Sequence, residues 1–132
     1  IVINGDVLTN MNFSKLLDFH VQNEALATMC VREFQYQIPY GVVNSENNLI
    51  KNMTEKPSYF FDINTGIYVI SPELLAQVEA QFIGMPTILE QQIEKNKKVI
   101  SYPLHEYWLD IGHIEDYNRA QKDIISLDFG KN

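Results

Sequence analysis

The sequence has a single cysteine, Cys30, so no disulfide can form within the chain. It has no opening stretch with the charged, apolar and small-residue order of a secretory signal, and no apolar run long enough to span a bilayer. Basic residues are scarce: 10 Lys and Arg stand against 17 Asp and Glu, a formal charge of -7 at pH 7. Nucleic acid and anionic membranes are bound through basic surface, so neither is an expected partner. A small anionic substrate stays compatible if a metal ion or one lysine supplies local positive charge. His20, His105 and His113 have no ligand spacing, and none is assigned to a metal. These absences point to the cytoplasm. An initiator methionine is missing too, and "IVING" at the start has the character of an interior strand rather than a frayed terminus, so the chain is expected to be a fragment.

What is present is enough for one globular core: 132 residues, 45% of them hydrophobic. "IVINGD" reads as a short buried strand that delivers Asp6 at its C-terminal end. A helix follows with apolar spacing at Phe13, Leu16, Leu17 and Val21, and His20 is expected on its surface. "LATMCVREF" is strand-like, with Cys30 in the core. "YGVVNSENNLIKNMTEKP" reads as a hairpin turning at Ser45 to Asn48. A strand is expected from about Thr65 to Ile70, then a helix opened by Ser71-Pro72 and running through Val78, and a second helix after Pro86. "VISYPL" and "YWLDIG" are again strand-like. The last helix should turn Ile114, Tyr117, Ala120 and Ile124 to one side. The order is that of an α/β protein, in which ligands sit where strands end.

Asp110 stands between Trp108, Leu109 and Ile111 in a run that reads as a buried strand, and an unpaired buried carboxylate is costly. A backbone donor, an arginine or a metal ion would serve as its partner. Asp6 follows Gly5, which permits a turn or a close approach. Each aspartate taken singly is explained as a helix or turn cap. Two carboxylates at two strand ends are also how Mg²⁺ is commonly held, together with phosphate oxygens. In "TEKP", Glu55 suits sugar hydroxyls and Lys56 a phosphate, while on pattern alone a solvated turn with ordinary charges is the favoured explanation. Asn64, Thr65 and Gly66 can present an amide, a hydroxyl and approachable backbone to a polyol, or simply form a turn before a strand.

The stretches "VINGDVLTNMNFSKLLDFH", "YGVV", "TEKP", "NTGIYVISPELL" and "MPTILEQQIEKNKKVISYPLHEYWLDIGHIEDYNRA", in that order, resemble the later part of the sugar-1-phosphate nucleotidyltransferases. The ending "HEYWLDIG" is closest to mannose-1-phosphate guanylyltransferase-like members of polysaccharide pathways. The resemblance covers nearly the whole chain, so residues 1–132 are expected to be the later, sugar-phosphate-binding portion of one nucleotidyltransferase domain. It implies a Rossmann-like α/β fold with a mixed central sheet, truncated at its N-terminus. The implied reaction is nucleotidyl transfer from a nucleoside triphosphate to a hexose 1-phosphate, releasing pyrophosphate.

By the same resemblance Asp6 and Asp110 would bind Mg²⁺, Glu55 would receive sugar hydroxyls and Lys56 would contact the sugar phosphate. Gly41 would offer a backbone contact, and Asn64, Thr65 and Gly66 would line the sugar pocket. The family's G-x-G-x-R-L loop, which cradles the triphosphate, is not in this sequence. The fragment alone is therefore expected to be inactive, and its uncovered apolar surface to favour a homo-oligomer. Two alternatives are a non-catalytic, sugar-nucleotide-binding regulatory or scaffold module, and a glycosyltransferase domain that holds a nucleotide sugar through Mg²⁺.

Overall fold

A computed structural model describes residues 1–78 and 83–127, so residues 79–82 and 128–132 of the expected domain lie outside the described residues. In chain order the elements are β1 (Val2–Ile3), β2 (Val7–Thr9), α1 (Phe13–Gln22), β3 (Ala27–Gln37), β4 (Val42–Glu46), β5 (Leu49–Thr54) and β6 (Ser58–Ile70). They continue with α2 (Pro72–Leu75), α3 (Met85–Glu94), β7 (Val99–Pro103), β8 (Trp108–Asp110) and α4 (Ile114–Ser126). The chain forms two compact units, Ile1–Val31 with Asn64–Asn132, and Arg32–Ile63. The long strands β3 and β6 each contribute to both.

The first unit is built on a mixed sheet ordered β1-β6-β3-β7, with β1 antiparallel to β6 and β3 parallel to β7. Side chains alternate across a strand, and here both faces are covered. On one face Ile67 and Val69 of β6 and Cys30 of β3 meet Leu16 of α1, together with Met11 and Leu104. On the other, Tyr68 and Ala27 meet Leu74 of α2 and Ile88 and Leu89 of α3. This double cover explains why burial is unbroken from Thr65 to Val69. Asn12 starts α1, its Oδ1 accepting from the Lys15 N–H at 3.2 Å. A separate two-stranded ladder joins β2 to β8.

The second unit contains the expected hairpin. β4 and β5 pair antiparallel, and Asn47 and Asn48 turn the chain with φ of 50° and 64°, a conformation asparagine tolerates better than most residues. None of residues 32–63 is buried in this structure, and Phe34, Tyr36, Tyr40, Leu49, Ile50 and Phe60 are among its exposed apolar side chains.

Several expectations are corrected. β6 begins at Ser58 rather than near Thr65, because the turn-forming residues Asn64 and Gly66 lie within the strand. α2 is a single turn, Pro72–Leu75, and does not run to Val78. Helical spacing does bring Ile114, Tyr117, Ala120 and Ile124 of α4 to one side, but of these only Ala120 is buried. His20 is buried in α1, not on its surface, because Thr28 and Ser71 supply partners for both ring nitrogens at 2.8 and 3.1 Å. Cys30 is in the core, as expected. No described helix is long and apolar enough to cross a membrane.

Candidate functional site

Asp6 closes the turn between β1 and β2. The Val7 N–H donates to the Asn4 carbonyl at 3.3 Å, and the Asn4 N–H donates to the Gly66 carbonyl at 2.9 Å, which ties the turn to β6. β2 then runs antiparallel to β8 with Val7 opposite Asp110, and the Ile111 N–H donates to the Asp6 carbonyl at 2.8 Å. Residues far apart in sequence are thus neighbours in one short ladder. Asp6 itself belongs to the turn, so the strict face alternation of a ladder does not govern its side chain.

The burial expected for Asp110 is overturned. Leu109 points inward and is buried, and the pleat turns Asp110 outward, where it is exposed, as Asp6 is. The capping roles that would explain the two aspartates are filled by others. Asn12 caps α1, and at the start of α4 the Asp116 carboxylate accepts from the His113 N–H at 3.1 Å. Among the described residues neither Asp6 nor Asp110 has a side-chain hydrogen bond or ion pair, and no group of three or more His, Cys, Asp or Glu is placed to hold a metal. Both carboxylates are thus exposed and uncommitted to the described protein, the chemistry a divalent cation would require of its oxygen ligands.

Asn64, Thr65 and Gly66 are engaged largely with the protein. Thr65 is buried, its hydroxyl donating to the Cys30 carbonyl at 2.8 Å and its carbonyl accepting from Trp108 Nε1 at 2.9 Å. Its side chain therefore serves the core and not an open pocket. Asn64 is exposed. Its Nδ2 donates to the Tyr68 hydroxyl at 2.7 Å, and its Oδ1 accepts from the Gly66 N–H at 2.9 Å. Gly66 has φ +74°, and a Cβ there would stand 2.6 Å from Asn4 Nδ2. A glycine is required at this point because the Asp6 turn lies against it.

Gly41, Glu55 and Lys56 belong to the second unit, where Gly41 and Glu55 meet. A Cβ on Gly41 would lie 3.0 Å from Glu55 Oε2, so the carboxylate rests over bare backbone. Lys56 has φ 45° immediately before Pro57, a position that ordinarily favours extended backbone. Its carbonyl accepts from Gln37 Nε2 at 3.2 Å, and the Pro57 carbonyl accepts from the Ile38 N–H at 3.0 Å. Left-handed backbone at a non-glycine residue costs on the order of 1–3 kcal/mol and concentrates at functional positions. Glu55 and Lys56 are both exposed.

Sequence reasoning missed a cluster at Tyr107. Thr9 Oγ1 donates to the Tyr107 carbonyl at 2.6 Å, Asn10 Oδ1 accepts from its N–H at 3.1 Å, and its ring hydroxyl donates to Asp123 Oδ2 at 2.6 Å. Burial and the Asp123 carboxylate push the Tyr107 hydroxyl up to about 12. Short polar residues such as Thr9 and Asn10 carry no periodic signal, so only the pairing of β2 with β8 reveals them.

The cluster at His20 was missed as well. The Ser71 hydroxyl donates to the Ala25 carbonyl at 2.9 Å, so it must accept from His20 Nε2–H, and His20 Nδ1 accepts from Thr28. Ser71 is an acceptor in this arrangement and not an activated nucleophile. Burial lowers the pKa of His20. A surface cavity of about 240 Å³ between Leu74, Val78, Ile83 and Ile88 contains none of the candidate residues and is the seam between α2 and α3.

The chain is 32% identical over 125 residues to an Arabidopsis thaliana protein named probable mannose-1-phosphate guanylyltransferase 3, covering 92% of the chain and 38% of that protein. It is 35% identical over 126 residues to the Schizosaccharomyces pombe mannose-1-phosphate guanyltransferase, covering 88% of the chain and 33% of that protein. Among solved structures, a Bacillus anthracis protein provisionally assigned as a glucose-1-phosphate thymidylyltransferase, in complex with sucrose, superposes with a TM-score of 0.64 at 19% identity. That match covers 98% of the chain and 55% of its length. The likeness bears out the expected Rossmann-like α/β fold with a mixed sheet. The chain spans between a third and two fifths of the length of these two curated relatives. The family model described as nucleotidyl transferase matches residues 1–126, and the chain belongs to that family.

Proposed function

We propose that the protein transfers a nucleotidyl group from a nucleoside triphosphate to a hexose 1-phosphate, with GTP and mannose 1-phosphate as its substrates. The observation that carries the reading is the position of Asp110 opposite Val7 in the β2–β8 ladder, beside the turn that holds Asp6, with the cap roles taken by other residues. The choice of GTP and mannose 1-phosphate is supported by the names of the curated relatives.

In the proposed reaction an oxygen of the sugar phosphate attacks the α-phosphorus in line. A new P–O bond forms, the bond from the α-phosphorus to the bridging oxygen breaks, and pyrophosphate leaves with the electron pair. No covalent intermediate on the protein is needed. The chief obstacle is that two anions must meet, so the protein's contribution is positioning and charge neutralisation. Asp6 and Asp110 would hold Mg²⁺, which when bound screens the nucleotide phosphates and the leaving pyrophosphate. Lys56 supplies an ammonium for the sugar phosphate, and its left-handed backbone holds the side chain at a tight corner. Glu55 accepts hydrogen bonds from sugar hydroxyls over the open backbone of Gly41. Asn64 contributes an exposed amide, while Thr65 and Gly66 act through the frame that they support.

The test is pyrophosphate release by the protein in its full natural length, with Mg²⁺, across the four common ribonucleoside triphosphates, thymidine triphosphate, and mannose and glucose 1-phosphates. Release with GTP and mannose 1-phosphate supports the full reading. Release with another pair keeps the reaction class and replaces the substrates. If the folded protein binds a nucleotide sugar yet releases nothing with any pair, the non-catalytic module takes its place. We also propose that the protein self-associates, because the exposed Phe34, Tyr36, Phe60 and Phe61 form apolar surface that soluble chains usually cover. A monodisperse monomer in sedimentation would refute this.

A further inference from the structure

The ladder that brings Asp110 beside Asp6 is short, three residues on each strand, and a two-stranded ribbon of that length is marginal in water by itself. Its register also matters more than its strength. A slip of one residue turns every side chain of a strand to the opposite face, which would carry Asp110 away from the Asp6 turn.

The bonds that could prevent such a slip converge on Tyr107, the residue before β8. The Thr9 hydroxyl donates to the Tyr107 carbonyl at 2.6 Å, and Asn10 Oδ1 accepts from the Tyr107 N–H at 3.1 Å. Two adjacent side chains at the end of β2 thereby take up both backbone groups of one residue and continue the pairing beyond the ladder. Thr9 is also fixed in turn, since its Oγ1 accepts from the Met11 N–H at 3.2 Å. From the other side, the Tyr107 hydroxyl donates to Asp123, which also pairs with Arg119 Nε at 3.4 Å, and Trp108 Nε1 donates to the Thr65 carbonyl. A slip would break the Thr9 and Asn10 bonds together, because both address the same residue.

We propose that Thr9 and Asn10 are positioning residues for the carboxylate pair, holding Asp110 in register with Asp6 so that a divalent cation meets two carboxylates and not one. The proposal rests on the reading of Asp6 and Asp110 as the metal site. Neither Thr9 nor Asn10 touches the cation or the substrate. Thr9 acts through Tyr107 and its strand, as groups behind metal ligands do when they set ligand orientation.

The experiment is titration of Mn²⁺ as a stand-in for Mg²⁺, followed by the loss of its free electron paramagnetic resonance signal, on the full-length protein without substrate. Thr9→Val keeps the shape and removes the hydroxyl, Thr9→Ser keeps the donor, and Asn10→Ala removes the acceptor. Thr9→Val and Asn10→Ala are expected to weaken Mn²⁺ binding about tenfold, the scale typical for lost outer-shell partners, while Thr9→Ser stays near wild type. Asp110→Asn is measured beside them. If it abolishes Mn²⁺ binding while folded Thr9→Val and Asn10→Ala bind as wild type does, the positioning role is wrong and the metal site stands. If Asp110→Asn itself binds like wild type, the metal reading fails and the positioning role with it. Should Thr9→Val not fold, Asn10→Ala decides the matter.

Discussion

Gly66→Ala is the substitution whose cost the structure specifies most fully. The residue lies in β6 with φ +74°, and an added Cβ would stand 2.6 Å from Asn4 Nδ2, 2.8 Å from its Cγ and 3.2 Å from its Cβ. The exposed Asn4 amide must rotate away, whereas its Cβ cannot retreat, because the Asn4 N–H donates to the Gly66 carbonyl at 2.9 Å and its carbonyl accepts from Val7. Left-handed backbone costs alanine about 1–2 kcal/mol, and the crowding against the held Asn4 Cβ, with displacement of its amide, adds about 1 kcal/mol. The expected destabilisation is therefore about 2–3 kcal/mol, a large share of the roughly 5–15 kcal/mol that holds a domain folded. Equilibrium urea unfolding measures it. Asn4→Ala in the Gly66→Ala background removes the two nearest atoms and should recover less than half the loss, leaving the backbone term and the Cβ contact. A Gly66→Ala protein within about 0.5 kcal/mol of wild type would refute the reasoning, because surface-like tolerance is incompatible with those contacts.

His20 gives a pH dependence. Burial lowers its pKa in the folded state, so the unfolded chain binds the proton more readily. Stability is then complete above the ordinary histidine value of 6.5 and falls as the pH drops below it toward the folded value. His20→Gln should flatten this slope in unfolding experiments between pH 7 and 5, and an unchanged slope would assign the effect elsewhere. Burial pushes the Cys30 thiol up to about 12, with Glu106 adding to the shift, so the native protein should not react with a disulfide reagent at pH 8, and should do so once unfolded. Fast labelling of the native state would contradict the core placement. Lys56→Gly should relieve the left-handed backbone, raising stability by about 1 kcal/mol, while raising KM for the sugar 1-phosphate. Loss of stability together with unchanged KM would remove Lys56 from the site.

Much of the fold is legible in the sequence where the signal is local. The apolar spacing of Phe13, Leu16, Leu17 and Val21 announces α1, and the turn residues Ser45 to Asn48 between two β-rich runs announce the β4–β5 turn. What is not legible depends on partners distant in the chain. Gly66 reads as a turn residue, yet it sits inside β6 because the Asp6 turn presses on it through Asn4. His20 reads as a surface residue because its partners, Thr28 and Ser71, come from other elements. Asp110 reads as buried because its neighbours are apolar, whereas strand alternation buries Leu109 and exposes the carboxylate. For the site, residue types and order suggest Asp6 and Asp110, but only the β2–β8 pairing makes them neighbours. Thr9 and Asn10 leave no sequence signal, since their role is defined by the backbone of Tyr107.

The central claim is that Asp6 and Asp110 act as one unit on a divalent cation. The direct measurement is pyrophosphate release as a function of Mg²⁺ concentration by the full-length protein and its Asp6→Asn, Asp110→Asn and double variants, each shown to be folded. Groups that act as a unit are non-additive, so each single substitution should lower kcat/KM by on the order of 100-fold or more, and the double substitution should cost little beyond either. Wild-type-like turnover in either single variant, or losses that simply multiply in the double variant, would contradict the claim.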